Sequence, residues 1–281
     1  MQLTVFSTDN NKSGFRLQNM EVLNWGTFDE HVWKIEPGGE TSLLTGANGS
    51  GKTTFVDALL TLIVPERRYR FYNQSSGSDK KGDRTEDSYV LGAYGTVPAD
   101  SGSGLKTVYL RENKDSAYSI LLASFTNEAE QTVTLFQVRY FSGGELKRYY
   151  AIAHKPLHIE TDFAPFDFSG GWRRRLDVHN KGGKKQIEWL DGASRYAQRM
   201  VEVLGMQSIQ ALSLFNQTVG IKVLGDLNEF IRTNMLEPRN LEEGFQELKK
   251  HLATLLEART NIEKVEEQIR LLQPLQQHYL L

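Results

Sequence analysis

The sequence predicts an α/β fold that contains an antiparallel β layer and ends in a long helix. Three observations support this prediction. A glycine-rich loop stands between a short apolar run and a helix-like run, and several segments between residues 105 and 154 alternate apolar and polar residues. The residues after Pro238 carry a heptad seam. The order of these segments along the chain sets the fold class.

The glycine-rich loop has a sequence context typical of phosphate binding. Residues 41–45 before it predict a short buried strand, and residues 54–63 after it predict an apolar helix that ends before Pro65. The loop itself matches G-x-x-x-x-G-K-[ST] and reads Gly46-Ala47-Asn48-Gly49-Ser50-Gly51-Lys52-Thr53.

The chemistry of this loop predicts a nucleoside triphosphate site over residues 46–54, which includes Thr54. Backbone N–H groups of such a loop surround phosphate oxygens, and the helix dipole favours their negative charge. Lys52 is long enough to reach the β- and γ-phosphates, and the Thr53 hydroxyl can bind Mg²⁺.

Composition excludes several classes of protein. Hydrophobic residues make up 39% and charged residues 24%, which is typical of a folded globular chain. The absence of cysteine excludes disulfides, thiolate metal sites and a cysteine nucleophile, and fits a reducing cytosol. No signal peptide is evident, and the longest apolar stretch is too short to cross a bilayer. We therefore expect a cytoplasmic protein with no membrane partner.

Period-two alternation predicts most of the strands. Residues 15–25 and 32–35 predict strands that lead towards the loop. Further strands are predicted over residues 107–110, 118–125, 132–141 and 148–153. Polar, glycine-containing composition predicts loops over residues 72–87 and 172–185. Helices are predicted over residues 193–204, 209–214 and 226–235.

The C-terminal segment predicts the root of a coiled coil. Apolar residues recur at spacings of three and four from Leu241 to Leu272, with charged residues between them. A single amphipathic helix packed on the domain is the alternative. We place an N-terminal lobe at residues 1–238 and a coiled-coil arm at 239–281, and expect the arm to lack its partner helix in this chain.

A P-loop ATPase also needs an acidic residue at the end of a second buried strand. The nearest approach is the segment 187–191, which ends in Asp191 but is interrupted by Glu188. The tetrapeptide Ser142-Gly143-Gly144-Glu145 spells the core of the ABC-type signature. Because strand-like segments flank it, Gly143 and Gly144 are better interpreted as a hairpin turn.

Together these pieces resemble the SMC-like ATPases, whose head domain is split between the two ends of a long chain. The string from Gly46 to Thr54 is similar to the G-x-N-G-S-G-K-[ST]-[ST] form of that family. The lead-in from Met20 to Phe28, which contains Asn-Trp-Gly-Thr-Phe, is similar to the MukB/MksB/JetC branch, which includes the bacterial Wadjet plasmid-defence complex.

The resemblance implies an ABC/SMC-type P-loop NTPase half-head with an antiparallel β layer, followed by the root of a coiled coil. It implies ATP and Mg²⁺ as ligands, and as partners the C-terminal half of the same head, a second copy of the head, DNA, and kleisin-like and accessory subunits. The implied function is ATP-driven head dimerisation coupled to DNA loop extrusion or condensation, or to plasmid defence, in a bacterial, nucleoid-associated setting.

The resemblance also assigns residues. Gln217 would be the Q-loop glutamine that helps to bind Mg²⁺ and sense the γ-phosphate beside the catalytic Lys52, and Asn48 would be a structural or phosphate-side contact. Arg67, Arg68 and Arg70 follow the loop helix where the family has an arginine loop. A neutral amide suits the role given to Gln217 because it can accept from a metal-bound water.

Two basic clusters are candidate DNA contacts. The segment from Arg67 to Arg84 contains six Lys or Arg residues and two Asp residues. The segment from Arg173 to Lys185 contains six Lys or Arg residues and one Asp residue. Mobile cationic side chains of this kind bind phosphate backbones without reading sequence. The named candidates are Arg67, Arg68, Arg70, Arg173, Arg174 and Arg175. Ordinary solvated loops, or an acidic patch on a partner protein, are the alternatives.

Three other functions remain open at the level of sequence. A self-contained P-loop NTPase would use Asp191 as its acid, and a nucleotide-gated adaptor would dock its C-terminal helix on a partner. A RecF-type or overcoming-lysogenization-type ATPase would share the loop but carry a shorter coiled coil.

Overall fold

The computed structural model describes residues 14–67, 70, 72, 84–98, 105–180, 185–206, 208–209, 211–212, 215 and 241–279. The chain divides into two compact units, residues 1–225 and residues 226–281. Over the described ranges, none of the helices combines the length and the apolar character needed to cross a membrane.

The first unit is built on a six-stranded antiparallel sheet. Its strands are β1 (Arg16–Leu23), β2 (Val32–Ile35), β5 (Tyr118–Thr126), β6 (Thr132–Ser142), β7 (Glu145–Ala153) and β8 (Ile187–Leu190). Their order across the sheet is β2-β1-β5-β6-β7-β8. A separate two-stranded sheet consists of β3 (Ala93–Pro98) and β4 (Leu105–Tyr109).

The helices of the first unit lie between these strands in sequence, except for one that follows β8. They are α1 (Lys52–Ile63), α2 (Glu86–Leu91), α3 (Gly171–Asp177) and α4 (Ala193–Val203). A single π-turn, Ile159–Phe163, and two short 3₁₀ turns, Lys114–Ser116 and Val178–Asn180, complete the described elements.

The alternating segments form strands as predicted. β2 spans the predicted residues, and β1, β4, β5, β6 and β7 differ from their predictions only at the ends. Gly143 and Gly144 make the β6–β7 turn with φ of 61° and 80°, and Ser142 pairs with Glu145. The hairpin interpretation of this tetrapeptide is confirmed.

The strand predicted over residues 41–45 is not found. None of the described strands pairs with this segment, and Leu43 is 87% exposed. A strand needs a neighbour to accept and donate its ladder hydrogen bonds, and the sheet ends at β2. The sequence pattern of a buried strand is present here without a strand to pair with.

The loop predicted over residues 172–185 begins instead as a helix. α3 occupies its first residues because Asp167 accepts hydrogen bonds from the Gly171 and Trp172 N–H groups at 2.7 and 3.0 Å. Trp172 and Leu176, one turn apart, are both buried. Residues 181–184 lie outside the described residues, as do residues 73–83 of the other predicted loop.

The two faces of the large sheet pack against different layers. One face packs against α1, α2 and α4 through an apolar cluster that includes Val22, Leu60 and Met200. The other packs against the π-turn and α3, where Phe163 and Trp172 are buried. Since successive strand residues point to opposite faces, these two layers divide the side chains of every strand.

A buried ionic cluster stabilises the first face. Glu86 at the start of α2 is fully buried and pairs with Arg70, with Arg148 at 2.5 Å and with Arg139 at 3.6 Å. Gln137 on β6 accepts from Arg139 and donates to the Thr61 carbonyl in the last turn of α1. These contacts join α1, α2, β6 and β7, so one carboxylate links four elements.

The second unit contains α5 (Leu241–Tyr279), a helix of 39 residues in which Pro274 lies near the C-terminal end. Where the structure describes side chains of the predicted seam, they are exposed, among them Leu248, Leu255, Ile262 and Ile269. A long helix is confirmed over these residues, and its pairing in a coiled coil stays a prediction.

We predict that Glu86→Gln strongly destabilises the first unit. Burial alone would raise the pKa of this carboxyl, but Arg139, Arg70 and Arg148 outweigh it and lower the pKa to about 2. A fall from the ordinary 4.5 corresponds to about 3 kcal/mol of stability. Urea unfolding at pH 7 measures this loss.

The pH dependence of the free energy of unfolding supplies a second measurement. Because the pKa of Glu86 is lower in the folded state, its contribution is full above pH 4.5 and is lost as the pH falls towards 2. The Glu86→Gln variant should lack this pH-dependent component.

Asp87→Asn is the matched control. It changes the adjacent, half-exposed carboxylate and should cost less than about 0.5 kcal/mol. Equal losses for both variants would refute the central role of Glu86.

Candidate nucleotide-binding site

The glycine-rich loop leads directly into α1. Residues 36–51 join β2 to α1, and the Gly51 carbonyl accepts the Phe55 N–H at 3.0 Å, which starts the helix. A further hydrogen bond, Ser50 N–H to the Ala47 carbonyl at 3.2 Å, closes a turn in the loop. The predicted loop–helix junction is therefore present, with the helix N-terminus beside the loop backbone.

The side chain of Lys52 folds back over the loop. Its Nζ donates to the carbonyl oxygens of Gly46 at 2.6 Å and Ala47 at 2.8 Å. These bonds place the ammonium group inside the curve of residues 46–51. An ammonium group held against the backbone of a P-loop suits the binding of phosphate oxygens.

Gly51 is required by both its backbone and its surroundings. Its φ of +88° is a left-handed conformation, and a Cβ placed there would lie 2.6 Å from the Phe28 ring. Phe28, from the segment between β1 and β2, is thus packed directly against the start of α1. The loop is shaped by an aromatic ring that the motif itself does not contain.

Arg111 holds the Phe28 segment in place, and sequence reasoning missed it. Its guanidinium donates to the carbonyls of Gly26 at 2.9 Å and Tyr89 at 3.1 Å, and to the Asp29 carboxylate at 2.5 Å. Its Nε donates to the Val90 carbonyl at 2.7 Å. No local pattern marks this arginine, because its acceptors are distant in the sequence.

The other predicted loop residues divide into exposed and packed groups. Asn48 and Thr53 are exposed, and the Thr53 hydroxyl remains the predicted magnesium ligand. Thr54 packs towards the core, since a Cβ on Gly26 would lie 2.8 Å from its methyl group. Gln217, the other predicted magnesium ligand, lies outside the described residues.

The buried carboxylate of Asp57 joins α1 to α2. Asp57 accepts hydrogen bonds from the Tyr89 hydroxyl and, at 3.2 Å, from Arg84. Burial, followed by the proximity of Asp57, raises the pKa of Tyr89 well above its usual range, so its hydroxyl stays a donor. The Tyr89 ring stacks on Trp25 at 4.6 Å. α1 and α2 are therefore fixed relative to each other beneath the loop.

The first basic cluster is partly structural. Arg70 is buried, pairs with Glu86 and donates to the Val64 carbonyl at 2.9 Å. Its prediction as a DNA contact is wrong, because its guanidinium caps the end of α1 instead of facing solvent. The side chain of Arg67 is 60% exposed and lies 3.7 Å from Glu86. Arg68 lies outside the described residues.

The arginines of α3 also differ in their surroundings. Arg173 stacks over the Trp189 ring at 4.6 Å, and Arg175 donates to the Phe163 carbonyl at 3.2 Å. Arg174 is exposed. Arg173 also lies over the Tyr149 ring, whereas Arg148, the preceding residue of β7, pairs with Glu86. Because adjacent residues of a strand point to opposite faces of the sheet, Arg173 and Glu86 lie on opposite faces.

The acidic residue considered for a second strand is poorly placed for metal binding. Residues 187–190 form β8, but they form the sheet edge farthest from β2. The Asp191 side chain beyond it is 93% exposed and pairs with Arg195. The arrangement gives no support to Asp191 as the acid of a self-contained NTPase.

Comparison with known proteins supports the loop assignment. Residues 17–79 match the family described as "P-loop containing region of AAA domain", which spans β1, β2, the loop and α1. No curated protein matches the sequence. The P-loop is confirmed, and with it the α/β class of a P-loop NTPase domain with an antiparallel sheet.

Several solved chains are similar to this protein, and one of them matches it over most of its length. It comes from work on "Structural biochemistry of ATP-driven dimerization and DNA stimulated activation of SMC ATPases". The two chains are 13% identical, with a TM-score of 0.35 over 82% of this chain and 96% of that chain.

We predict that Gly51→Ala is more damaging than Gly49→Ala. Both glycines have a positive φ, of +88° and +83°, so each substitution should cost about 1–2 kcal/mol in backbone strain. Only at Gly51 does the new methyl group meet Phe28, which adds about 1–3 kcal/mol. Urea unfolding compares the two variants.

A double variant tests the cause of that difference. Phe28→Leu shortens the side chain that faces Gly51, so combining it with Gly51→Ala should cost less than the sum of the two single losses. Strictly additive losses, or equal effects at Gly49 and Gly51, would contradict the packing of Phe28 against the loop.

Proposed function

We propose that this chain is the ATP-binding N-terminal lobe of an SMC-like ATPase head, of the MukB/MksB/JetC kind. Its P-loop and α1 carry the nucleotide site, and α5 is the root of a coiled-coil arm. The lead-in from Met20 to Phe28 supports the choice of branch, and Phe28 itself contacts the loop. ATP turnover then belongs to the assembled head.

The observation that carries this proposal is the unpaired segment before the loop. Residues 41–45 have the apolar pattern of a buried strand, yet Leu43 is 87% and Leu44 43% exposed. Exposed apolar residues next to a P-loop indicate a surface that is covered in the working protein. We assign that role to strands of the C-terminal half of the head, which would pair with residues 41–45.

The loop residues fit a nucleoside triphosphate with Mg²⁺. The shape of the phosphate-binding loop depends on Gly51, because a Cβ there would collide with Phe28. Lys52 already donates to two loop carbonyls. Lys52 would hold the β- and γ-phosphates, and Thr53 and Gln217 would hold Mg²⁺. The metal ion neutralises phosphate charge in such sites.

Two such heads would close over two ATP molecules and open when the γ-phosphate is lost. The contacts made through that phosphate differ between the closed and open states, which is what a nucleotide-driven switch requires. The arms would transmit this change to DNA, for loop extrusion or condensation, or for plasmid defence. Kleisin-like and accessory subunits, and a cytoplasmic, nucleoid-associated location, complete the proposal.

DNA contact would use the exposed members of the basic clusters. Arg67, Arg174 and Arg175 are the exposed candidates among the described residues, whereas Arg70 is part of the core. The clusters lie on opposite faces of the sheet, so one straight duplex lying along one face would meet only one of them. Binding through such side chains should weaken steeply with salt.

Nucleotide binding by the 281-residue chain is the test. We expect binding of Mg-ATP in calorimetry, and expect Lys52→Ala to weaken it at least about 30-fold, the equivalent of losing a charge-assisted contact. Lys147→Ala, at an exposed lysine of the β6–β7 hairpin, should bind like the unchanged chain. Equal affinities for all three would refute the site.

A turnover assay on the same samples separates this proposal from a self-contained enzyme. We expect binding without hydrolysis by the chain alone. Hydrolysis at an ordinary enzymatic rate, abolished by Lys52→Ala, would show that the site is complete without a second half.

A further inference from the structure

An aromatic stack runs from the core of α1 to the protein surface beside the P-loop. Phe55 in α1 contacts Phe28 with ring centroids 4.8 Å apart, and Phe28 stacks on Trp33 at 5.1 Å and 28°. His31 packs edge-on against Trp33 at 5.7 Å. Phe28 and Phe55 are buried, whereas Trp33 is 44% exposed.

The position of Trp33 in the sheet fixes the side to which it belongs. Trp33 lies opposite Val22 in the β1–β2 ladder, and directly opposite residues share a face. Val22 belongs to the apolar cluster that packs α1. Trp33 is thus on the α1 side of the sheet, on the edge strand β2, where its indole extends the layer that contains the loop.

Phe28 connects this indole to the phosphate-binding loop. The same ring that stacks on Trp33 lies where a side chain on Gly51 would project. Only one ring therefore separates the start of α1 from Trp33. The Arg111 guanidinium donates hydrogen bonds to the Phe28 carbonyl, at 3.3 Å, and to the Asp29 carboxylate. These bonds fix the position of the aromatic stack relative to the loop.

We propose that Trp33 is the stacking surface for the base of the nucleotide whose phosphates lie on residues 46–53. This inference rests on the nucleotide site proposed above and adds a base-binding residue to it. Phe28 stacks on the indole and His31 packs edge-on against it, while 44% of the residue stays exposed and can meet a ligand. An indole that is rigidly held and partly exposed is suited to receive a planar heterocycle.

The chemistry of stacking sets the specificity to expect. Every nucleobase has a π face, so a stacking platform tolerates different bases and is worth about 1–3 kcal/mol by alanine substitution. Trp33 should therefore strengthen binding of ATP and GTP alike. It should contribute nothing to a ligand that has phosphates but no base.

Calorimetry with two ligands tests this directly. We compare Mg-ATP with Mg-tripolyphosphate, which carries the phosphate chain alone, on the 281-residue chain. Trp33→Ala should weaken ATP binding by about 5- to 150-fold and leave tripolyphosphate binding unchanged. Trp33→Phe keeps an aromatic face and should lose less. Tyr94→Ala, at an exposed aromatic residue of β3, is the control and should bind both ligands normally.

Tryptophan emission gives a second readout. Trp25 and Trp172 are buried, so stacking on the exposed Trp33 should dominate any change in emission on adding ATP. Trp33→Phe should abolish that change, whereas Trp189→Phe, at a residue in the layer of α3, should retain it. Thermal unfolding of each variant confirms that it is folded.

Each alternative outcome has a definite meaning. If Trp33→Ala weakens both ligands equally, the residue only supports the loop through Phe28 and the base-stacking role is wrong. Unchanged ATP binding would also overturn the role and leave the nucleotide site intact. If the unchanged chain binds neither ligand, the nucleotide site itself is refuted, and the role of Trp33 falls with it.

Discussion

The arrangement of the first unit depends on one buried carboxylate. Glu86 pairs with guanidinium groups that come from the segment after α1, from β6 and from β7, and without it these cations would lose the negative charge that offsets their repulsion in a space with little water. Gln137 extends the cluster to the last turn of α1. The end of α1, the start of α2 and the centre of the sheet are thereby held at fixed distances, and the P-loop at the other end of α1 inherits that position.

The loop is held at its own end by contacts of a different kind. Phe28 packs against Gly51, Arg111 secures the backbone around Phe28, and Asp57 ties α1 to Tyr89 on α2. A phosphate site needs this support because small displacements of its N–H groups weaken every bond to the ligand. The same contacts also fix the aromatic stack that ends at Trp33, so they position both the phosphate-binding loop and the residue proposed to stack on the base.

The division of the sheet into two faces bears on the proposed DNA contacts. Arg148 and Tyr149 are neighbours on β7, yet one reaches the cluster around Glu86 and the other lies beneath Arg173. The two basic segments that look alike in sequence therefore serve different layers. Within each, some arginines are used for packing and others remain exposed, so local charge density alone overstates the surface that nucleic acid could meet.

Local patterns determined the P-loop and most of the strands. The motif over residues 46–53 and the alternation over residues 118–153 fix backbone geometry within a few residues, and both were predicted from the sequence. Tertiary structure alone decided the burial of Arg70, the role of Arg111 and the unpaired state of residues 41–45. The physical reason is range: a hydrogen-bonding partner or a pairing strand that is distant along the chain leaves no trace in the local sequence.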